Sequence, residues 1–144
     1  MAEKNFEVKL DRIELLSFYI KPLPQGINNI PTEFNFTITM SNKVIPEHKL
    51  IVQQVDIGID VKEFEELSSI SILVGYYINN FSEVISLKDG LYNIDLELEM
   101  MMRNISLGTS RGIYYSKLQG SYLQKAHLPI ILTTSFENIP NPIK

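Results

Sequence analysis

The sequence has no cysteine, and this excludes a disulfide framework, a thiolate nucleophile and a cysteine-ligated zinc site. Lysine and arginine form no cluster, and the formal net charge is −4 at pH 7, so nucleic-acid binding lacks electrostatic support. No apolar run approaches the roughly 18 residues that a membrane-spanning helix needs. We therefore expect neither nucleic-acid binding nor membrane insertion.

The length of the chain and its first residues indicate the number of domains and the cellular location. The chain has 144 residues, and this length favours a single domain that spans residues 1–144. A domain of this size buries roughly 68–70% of its unfolded surface and needs no disulfide or metal for stability. The opening MAEKNFEVKL carries charges where a secretory signal needs an apolar core, which predicts a cytoplasmic location.

Four segments have the alternating apolar pattern of β-strands, over about residues 5–21, 32–42, 48–62 and 68–80. In the first, the alternation breaks at Arg12, which predicts a β-bulge there. The second is the clearest, and we expect it to turn at Ser41 to Lys43 and to break at Pro46. Short connections between consecutive strands favour antiparallel pairing.

A helical pattern follows the strands, and we expect the main helix over about residues 91–113. Asp89 or Asn93 would cap its start, and Gly112 would end it. Two apolar stripes run along it. The residues expected to pack on the sheet are Ile94, Leu98, Met101 and Ile105, and those expected to face a partner or a client are Leu96, Met100 and Leu107.

The order of elements predicts an α+β fold, in which a four-stranded antiparallel sheet is followed by a long helix packed on one face. Residues 130–144 contain Pro140 and Pro142 and are expected to form an irregular tail. Gly108 and Gly112 have a small-xxx-small spacing that allows close helix packing. Together with Leu96, these glycines are our candidates for an oligomer interface.

No arrangement of residues predicts catalysis, a metal or a cofactor. The two histidines, His48 and His127, lie in a polar turn and beside a loop proline, where a surface position is the simplest interpretation. Asp56 and Asp60 share a strand face at roughly 13 Å, from ~3.3 Å per residue, which is too wide for a glycosidase pair. We therefore expect a protein that is not an enzyme.

The methionine run Met100 to Met102 indicates a surface that binds other chains. Consecutive helical residues point about 100° apart, so three in a row cannot all face one core. Methionine is over-used at promiscuous binding surfaces, although a gap-filler with an oligomer contact is an equally good interpretation. Tyrosine, a residue enriched at interfaces, is also frequent in the second half of the chain.

At this point the chain resembles the SecB family of export chaperones and its SecB-like relatives. The likeness is carried by four long strands followed by one long helix, by ISLGTSRG (105–112) and by LQGSYLQKAHLPIIL (118–132). The layout covers Phe6 to Leu132, and the most specific parts are Ser110–Arg111–Gly112 and Leu128–Pro129.

The resemblance implies a cytoplasmic, ATP-independent holdase that forms a homotetramer, as a dimer of dimers with the long helices between the sheets. Unfolded polypeptides or preproteins would be its clients, bound in apolar grooves between sheet, crossover loop and helix. Mapped by motif, the client-binding residues implied here are Phe18, Tyr76, Met100, Leu107, Tyr114 and Tyr115.

The resemblance also implies docking of a SecA-like translocase motor on acidic residues of the sheet. The matching segments here, LLSFYIKP (15–22) and ILVGYY (72–77), contain no acid. Two alternatives therefore stay open beside an export holdase. One is a selective adaptor for a single partner, such as a toxin–antitoxin component, and the other is a small-ligand protein or an enzyme.

Overall fold

Four long strands form one antiparallel sheet in the computed structural model, which describes residues 5–24, 33–61 and 64–128. The strands are β1 (Val8–Ile20), β2 (Asn35–Ile45), β3 (Leu50–Asp60) and β4 (Ser68–Ile78). Their order across the sheet is β1-β4-β3-β2, so β1 and β2 are the two edges. The predicted α+β fold is confirmed.

Strand β1 carries the predicted bulge and a second one. Its register against β4 shifts between Leu10 and Arg12, and again between Leu15 and Ser17. At the first bulge, the Arg12 side chain lies over Gly75 of β4. A Cβ added to Gly75 would come within 2.9 Å of the Arg12 Cγ. A larger residue at position 75 would therefore require the Arg12 side chain to move.

Strand β2 ends three residues later than expected, and the turn predicted at Ser41 to Lys43 is wrong. The chain turns instead at the 3₁₀ segment Pro46–His48 and at Lys49, whose φ is 56°. Asn42 is buried and pairs with Gln53 across the ladder, and the Gln53 amide donates to the Asn42 Oδ1 at 2.9 Å. This buried hydrogen bond outweighs the local turn preference of the polar residues.

The connector after β4 forms small elements of its own. A single helical turn, α1 (Phe81–Val84), leads into a hairpin of β5 (Ile85–Lys88) and β6 (Leu91–Ile94). Asp89 and Gly90 both have positive φ, at 53° and 78°, as the tightest hairpin turns require. The hairpin therefore takes up the first residues of the predicted helix.

The long helix, α2 (Leu96–Leu118), begins and ends later than predicted. Its cap is Asp95, whose carboxylate accepts hydrogen bonds from the amides of Glu97 and Leu98. Gly112, expected to end the helix, lies within it and is exposed. The chain leaves the helix at Gln119 and reverses at Gly120, whose φ is 82°.

The face that α2 turns to the sheet also differs from the prediction. Its buried residues are Leu98, Met102, Ser106, Leu107, Ser110, Tyr114 and Leu118. Ile105, expected against the sheet, is 42% exposed, and Leu107, expected to face a partner, is 6% exposed. Steps of four residues advance about 40° per step, so the contact face rotates around the helix as it crosses the sheet.

Candidate functional site

A chain of buried polar side chains fixes α2 on the sheet. The Ser106 hydroxyl donates to the Gln53 Oε1 at 2.6 Å, and the Tyr76 hydroxyl lies 2.6 Å from the Ser106 Oγ and 3.0 Å from the Met102 carbonyl oxygen. Burial raises the pKa of Tyr76 to about 12. Nearer the surface, the Arg103 guanidinium donates to Glu99 at 2.6 Å. The hydrogen bonds of Ser106 and Tyr76, which join helix and sheet, specify one position of the helix on the sheet.

An open groove lies beyond this network, at the C-terminal end of α2. Its volume is about 330 Å³. Three parts of the chain form it: the last two turns of the helix, the start of the edge strand β2, and the segment after the helix. The lining residues are Phe36, Arg111, Gly112, Tyr114, Tyr115, Leu118, Ala126, His127 and Leu128. Most of these side chains are apolar, with one guanidinium and one imidazole among them.

Local interactions hold the segment after α2 against the helix. The Ser121 hydroxyl donates to the Leu118 carbonyl at 2.7 Å, and the Tyr122 hydroxyl donates to the Lys21 carbonyl at 2.7 Å. Leu123, Ala126 and Leu128 are buried, so the segment packs on the core by its apolar residues. After the chain reverses at Gly120, this segment forms the second wall of the groove.

Tyr114 and Tyr115 have different environments although they are neighbours. The Tyr114 hydroxyl donates to the Ser68 Oγ at 2.7 Å, its ring packs edge-on against Phe18 at 6.3 Å, and burial raises its pKa. Tyr115 is 47% exposed and stacks on His127, with ring centroids 5.4 Å apart. Tyr114 therefore forms the fixed floor of the groove, and Tyr115 forms an accessible aromatic wall.

The structure brings some of the predicted site residues together and separates others. Tyr114, Tyr115 and Gly112 line the groove, and Phe18 lies behind Tyr114. Tyr76 and Leu107 are buried between helix and sheet, so they offer no surface to a ligand in this conformation. The remaining predicted residues lie elsewhere on α2: Leu96 is exposed at its start, Met100 is half-buried, and Gly108 is exposed in its middle.

Sequence reasoning missed the other groove residues. Phe36 falls within the second predicted strand, about residues 32–42, without a predicted role in binding, and His127 is predicted only as a surface histidine. The available signal was the apolar spacing of Leu123, Ala126 and Leu128 after Gly120, which is typical of a chain segment folding back on a core.

A second apolar surface lies along the edge strand β1. Leu10, Ile13 and Leu15 pair with buried residues of β4 and so point to the helix side of the sheet, yet they are 54%, 43% and 44% exposed. Helix α2 has its main contacts with β3 and β4 rather than with β1. An edge strand with exposed apolar side chains and unpaired backbone groups is a template for another chain.

A third surface runs along the outer side of α2. Met101, Ile105, Gly108 and Gly112 follow one another at steps of four, three and four, the spacing of a helix–helix seam. At Gly108 and at Gly112 an added Cβ would meet nothing within 4 Å. The outer stripe, as we call these four residues, thus has room for another helix.

The outer face of the sheet is polar and engaged in local contacts. The Ser71 hydroxyl donates to the Asp56 carboxylate, and the Asn35 amide donates to Asp60 at 3.0 Å. The Tyr19 hydroxyl donates to Glu66 at 2.6 Å, and this hydrogen bond raises the pKa of Tyr19 to about 12. Among the described residues, no three His, Asp or Glu side chains are grouped so that they could hold a metal ion.

No helix in the described ranges is both long and apolar enough to cross a membrane. No family model and no curated protein sequence matches the chain. Among solved structures, the chain is similar to the Mycobacterium tuberculosis Rv1957 SecB-like chaperone in complex with a ChAD peptide from the Rv1956 HigA1 antitoxin. The TM-score is 0.51 at 11% identity, over 86% of this chain and 89% of that chain. The protein therefore has a SecB-like fold.

Proposed function

We propose that this protein is an ATP-independent chaperone that binds extended apolar segments of unfolded polypeptides in the cytoplasm. The observation that carries the proposal is the open groove at the end of α2, with an exposed aromatic wall at Tyr115 and an apolar floor. The SecB-like fold supports it, because the similar chaperone was solved with a peptide bound.

The groove suits an extended segment for two reasons. Aromatic and aliphatic side chains cover apolar side chains of many shapes, so the groove does not require one sequence. Phe36 belongs to the edge strand β2, whose free backbone groups can pair with an added strand. A client would thus place apolar side chains in the groove and continue along the sheet edge.

The other two apolar surfaces support the homo-oligomer that the resemblance to SecB implies, a tetramer built as a dimer of dimers. The exposed residues of β1 would join two sheets edge to edge, and the outer stripe of α2 would join helices of two such dimers. Gly108 and Gly112 would allow the helices to approach closely. Leu96, exposed at the start of α2, extends the apolar surface of this helix.

Export through a SecA-like motor receives less support than client binding. Motor docking would need free acidic side chains on the outer sheet face, where Asp56, Asp60 and Glu66 are already hydrogen-bonded. A selective adaptor is the second candidate function, and it is favoured by the antitoxin peptide bound to the similar chaperone. A pull-down that returns one stoichiometric partner instead of many unfolded chains would favour the adaptor.

The decisive experiment measures aggregation of an unfolded client diluted into buffer that contains an equimolar amount of this protein. We expect the wild-type protein to suppress light scattering without ATP. Tyr115→Ser should weaken client binding by about 1–2 kcal/mol, roughly five- to thirtyfold in Kd, because it removes the aromatic wall. Leu87→Ser, which removes an exposed apolar side chain from the small hairpin, is the matched control and should act like wild type. Failure of the wild-type protein to suppress aggregation would refute the proposal.

A further inference from the structure

The charges of this protein are unevenly distributed along the chain. No Asp or Glu lies between Glu99 and Glu137, whereas four basic residues do: Arg103, Arg111, Lys117 and Lys125. The chain as a whole has a formal net charge of −4. Most of α2 and the segment after it are therefore cationic in an otherwise acidic protein.

The groove at the end of α2 lies in this cationic part. Of the described residues that line it, none is acidic, and the two that can be positive are Arg111 and His127. Arg111 takes part in no ion pair within the described part of the chain. Its guanidinium can offer a planar pair of N–H donors to a carboxylate, and the imidazole of His127 can donate a further N–H.

Helix electrostatics do not account for Arg111. A positive charge stabilises the C-terminal end of a helix only within its last turn, and Lys117 already occupies that turn. Arg111 lies nearly two turns before Leu118, where this effect has faded. Its charge is therefore available to whatever occupies the groove.

We propose that the groove selects polypeptide segments in which acidic residues stand next to an apolar anchor. The apolar side chain would lie between Tyr115 and Leu118, and a flanking carboxylate would accept hydrogen bonds from Arg111 and His127. This inference rests on the proposed function, since it names the chemical class of segment that the same groove takes. Segments flanked by lysine would be bound more weakly, because they bring positive charge to a cationic rim.

Three synthetic peptides with one apolar core and with glutamate, glutamine or lysine flanks test this selectivity by fluorescence anisotropy. For the wild-type protein we expect the glutamate peptide to bind about tenfold more tightly than the lysine peptide, the scale of one or two partly exposed ion pairs. Raising the salt concentration should reduce this preference. Arg111→Gln should lower the preference to about threefold by weakening binding of the glutamate peptide, and an unchanged circular dichroism spectrum would show that the variant is folded.

Lys117→Gln is the control, because it removes the same charge from the same helix at a position outside the groove. It should keep the full preference. An equal loss of preference in both variants would show that the preference comes from the overall positive charge of this part of the protein, and it would overturn a role for the groove. Equal binding of all three peptides by the wild-type protein, or tighter binding of the lysine peptide, would overturn the selectivity while the proposed function stands. Binding of none of the peptides would overturn both proposals.

Discussion

Ser106 and Ser110 occupy successive turns of α2 on the side of the sheet, and both are fully buried. Ser106 donates to Gln53, whereas the Ser110 hydroxyl has no hydrogen-bond partner within the described part of the chain. Their small size allows the helix backbone to lie close to the sheet. One hydroxyl is thus part of the buried network, and the other carries an uncompensated desolvation cost.

Replacing these two serines should change stability in opposite directions. Ser110→Ala removes an unpaired buried hydroxyl and improves helix propensity, so we expect the free energy of unfolding to rise by about 1 kcal/mol. Ser106→Ala leaves the Gln53 Oε1 unpaired and should lower the free energy of unfolding by roughly 1–3 kcal/mol. Urea unfolding of both variants measures the difference. A destabilised Ser110→Ala would mean that this hydroxyl has a partner in solution.

The buried tyrosines predict how stability depends on alkaline pH. The pKa of Tyr76 is about 12 in the folded protein against an ordinary value of 10.0, because burial disfavours the ionised ring. A raised folded-state pKa means that the folded protein keeps its proton longer than the unfolded chain does. The contribution of Tyr76 to the free energy of unfolding is therefore fully present below about pH 10 and is lost as the pH rises toward 12. For each such tyrosine, the free energy of unfolding falls by at most about 1.4 kcal/mol per pH unit.

Thermal unfolding of the wild type and of Tyr76→Phe, followed from pH 8 to pH 12, checks this expectation. The Tm of the wild type should fall more steeply above pH 10 than that of the variant, which has no phenol to ionise at this position. Parallel curves would show that Tyr76 does not contribute to the alkaline loss of stability.

At the scale of elements, the two sides of α2 have separate tasks. The inner side is fixed by the Gln53–Ser106–Tyr76 network and by a rotating set of apolar contacts. On the outer stripe, Ile105, Gly108 and Gly112 are exposed, and Met101 packs in part against the core. This division allows substitutions that separate assembly from folding.

Gly108→Arg should prevent helix–helix assembly without unfolding the chain. An added Cβ at Gly108 meets nothing, and arginine has a higher helix propensity than glycine by roughly 0.5–1 kcal/mol, so the single chain should be at least as stable as wild type. The charged side chain would block the close approach of a second helix. Light scattering coupled to size exclusion should show a smaller assembly, whereas Ser86→Arg, at an exposed position of the β5–β6 hairpin, should not change it. An unchanged mass for Gly108→Arg would exclude the stripe from the interface.

For the whole molecule, the two apolar surfaces proposed for assembly predict that stability depends on protein concentration. If folded chains associate through β1 and the outer stripe, association stabilises the native state by mass action, and Tm rises with concentration. Calorimetry over a hundredfold range of concentration measures this rise. The variant Ile13→Lys should weaken the rise, and Ser17→Lys, on the same strand and paired on the other face, should preserve it. A Tm that is independent of concentration in the wild type would contradict assembly.

Much of the molecule could be predicted from local patterns. Alternation in β3 and β4 predicts the buried faces that carry Val55, Ile57, Ile70 and Ile72, because a strand points its side chains alternately to the two sides. The break in the apolar–polar alternation at Arg12 predicts the first bulge of β1. The SecB-like layout of four strands and a long helix follows from the same patterns.

Tertiary structure alone decided what these patterns leave open. Local propensity cannot show that Asn42 hydrogen-bonds Gln53 across the ladder, so it predicts a turn several residues before the observed one. It cannot show which stripe of the helix meets the sheet, because the polar residues Ser106 and Ser110 are buried there while the apolar Ile105 is exposed. The groove brings Phe36, Tyr115 and His127 together from distant parts of the chain, and only the packing of helix, sheet edge and returning segment determines that contact.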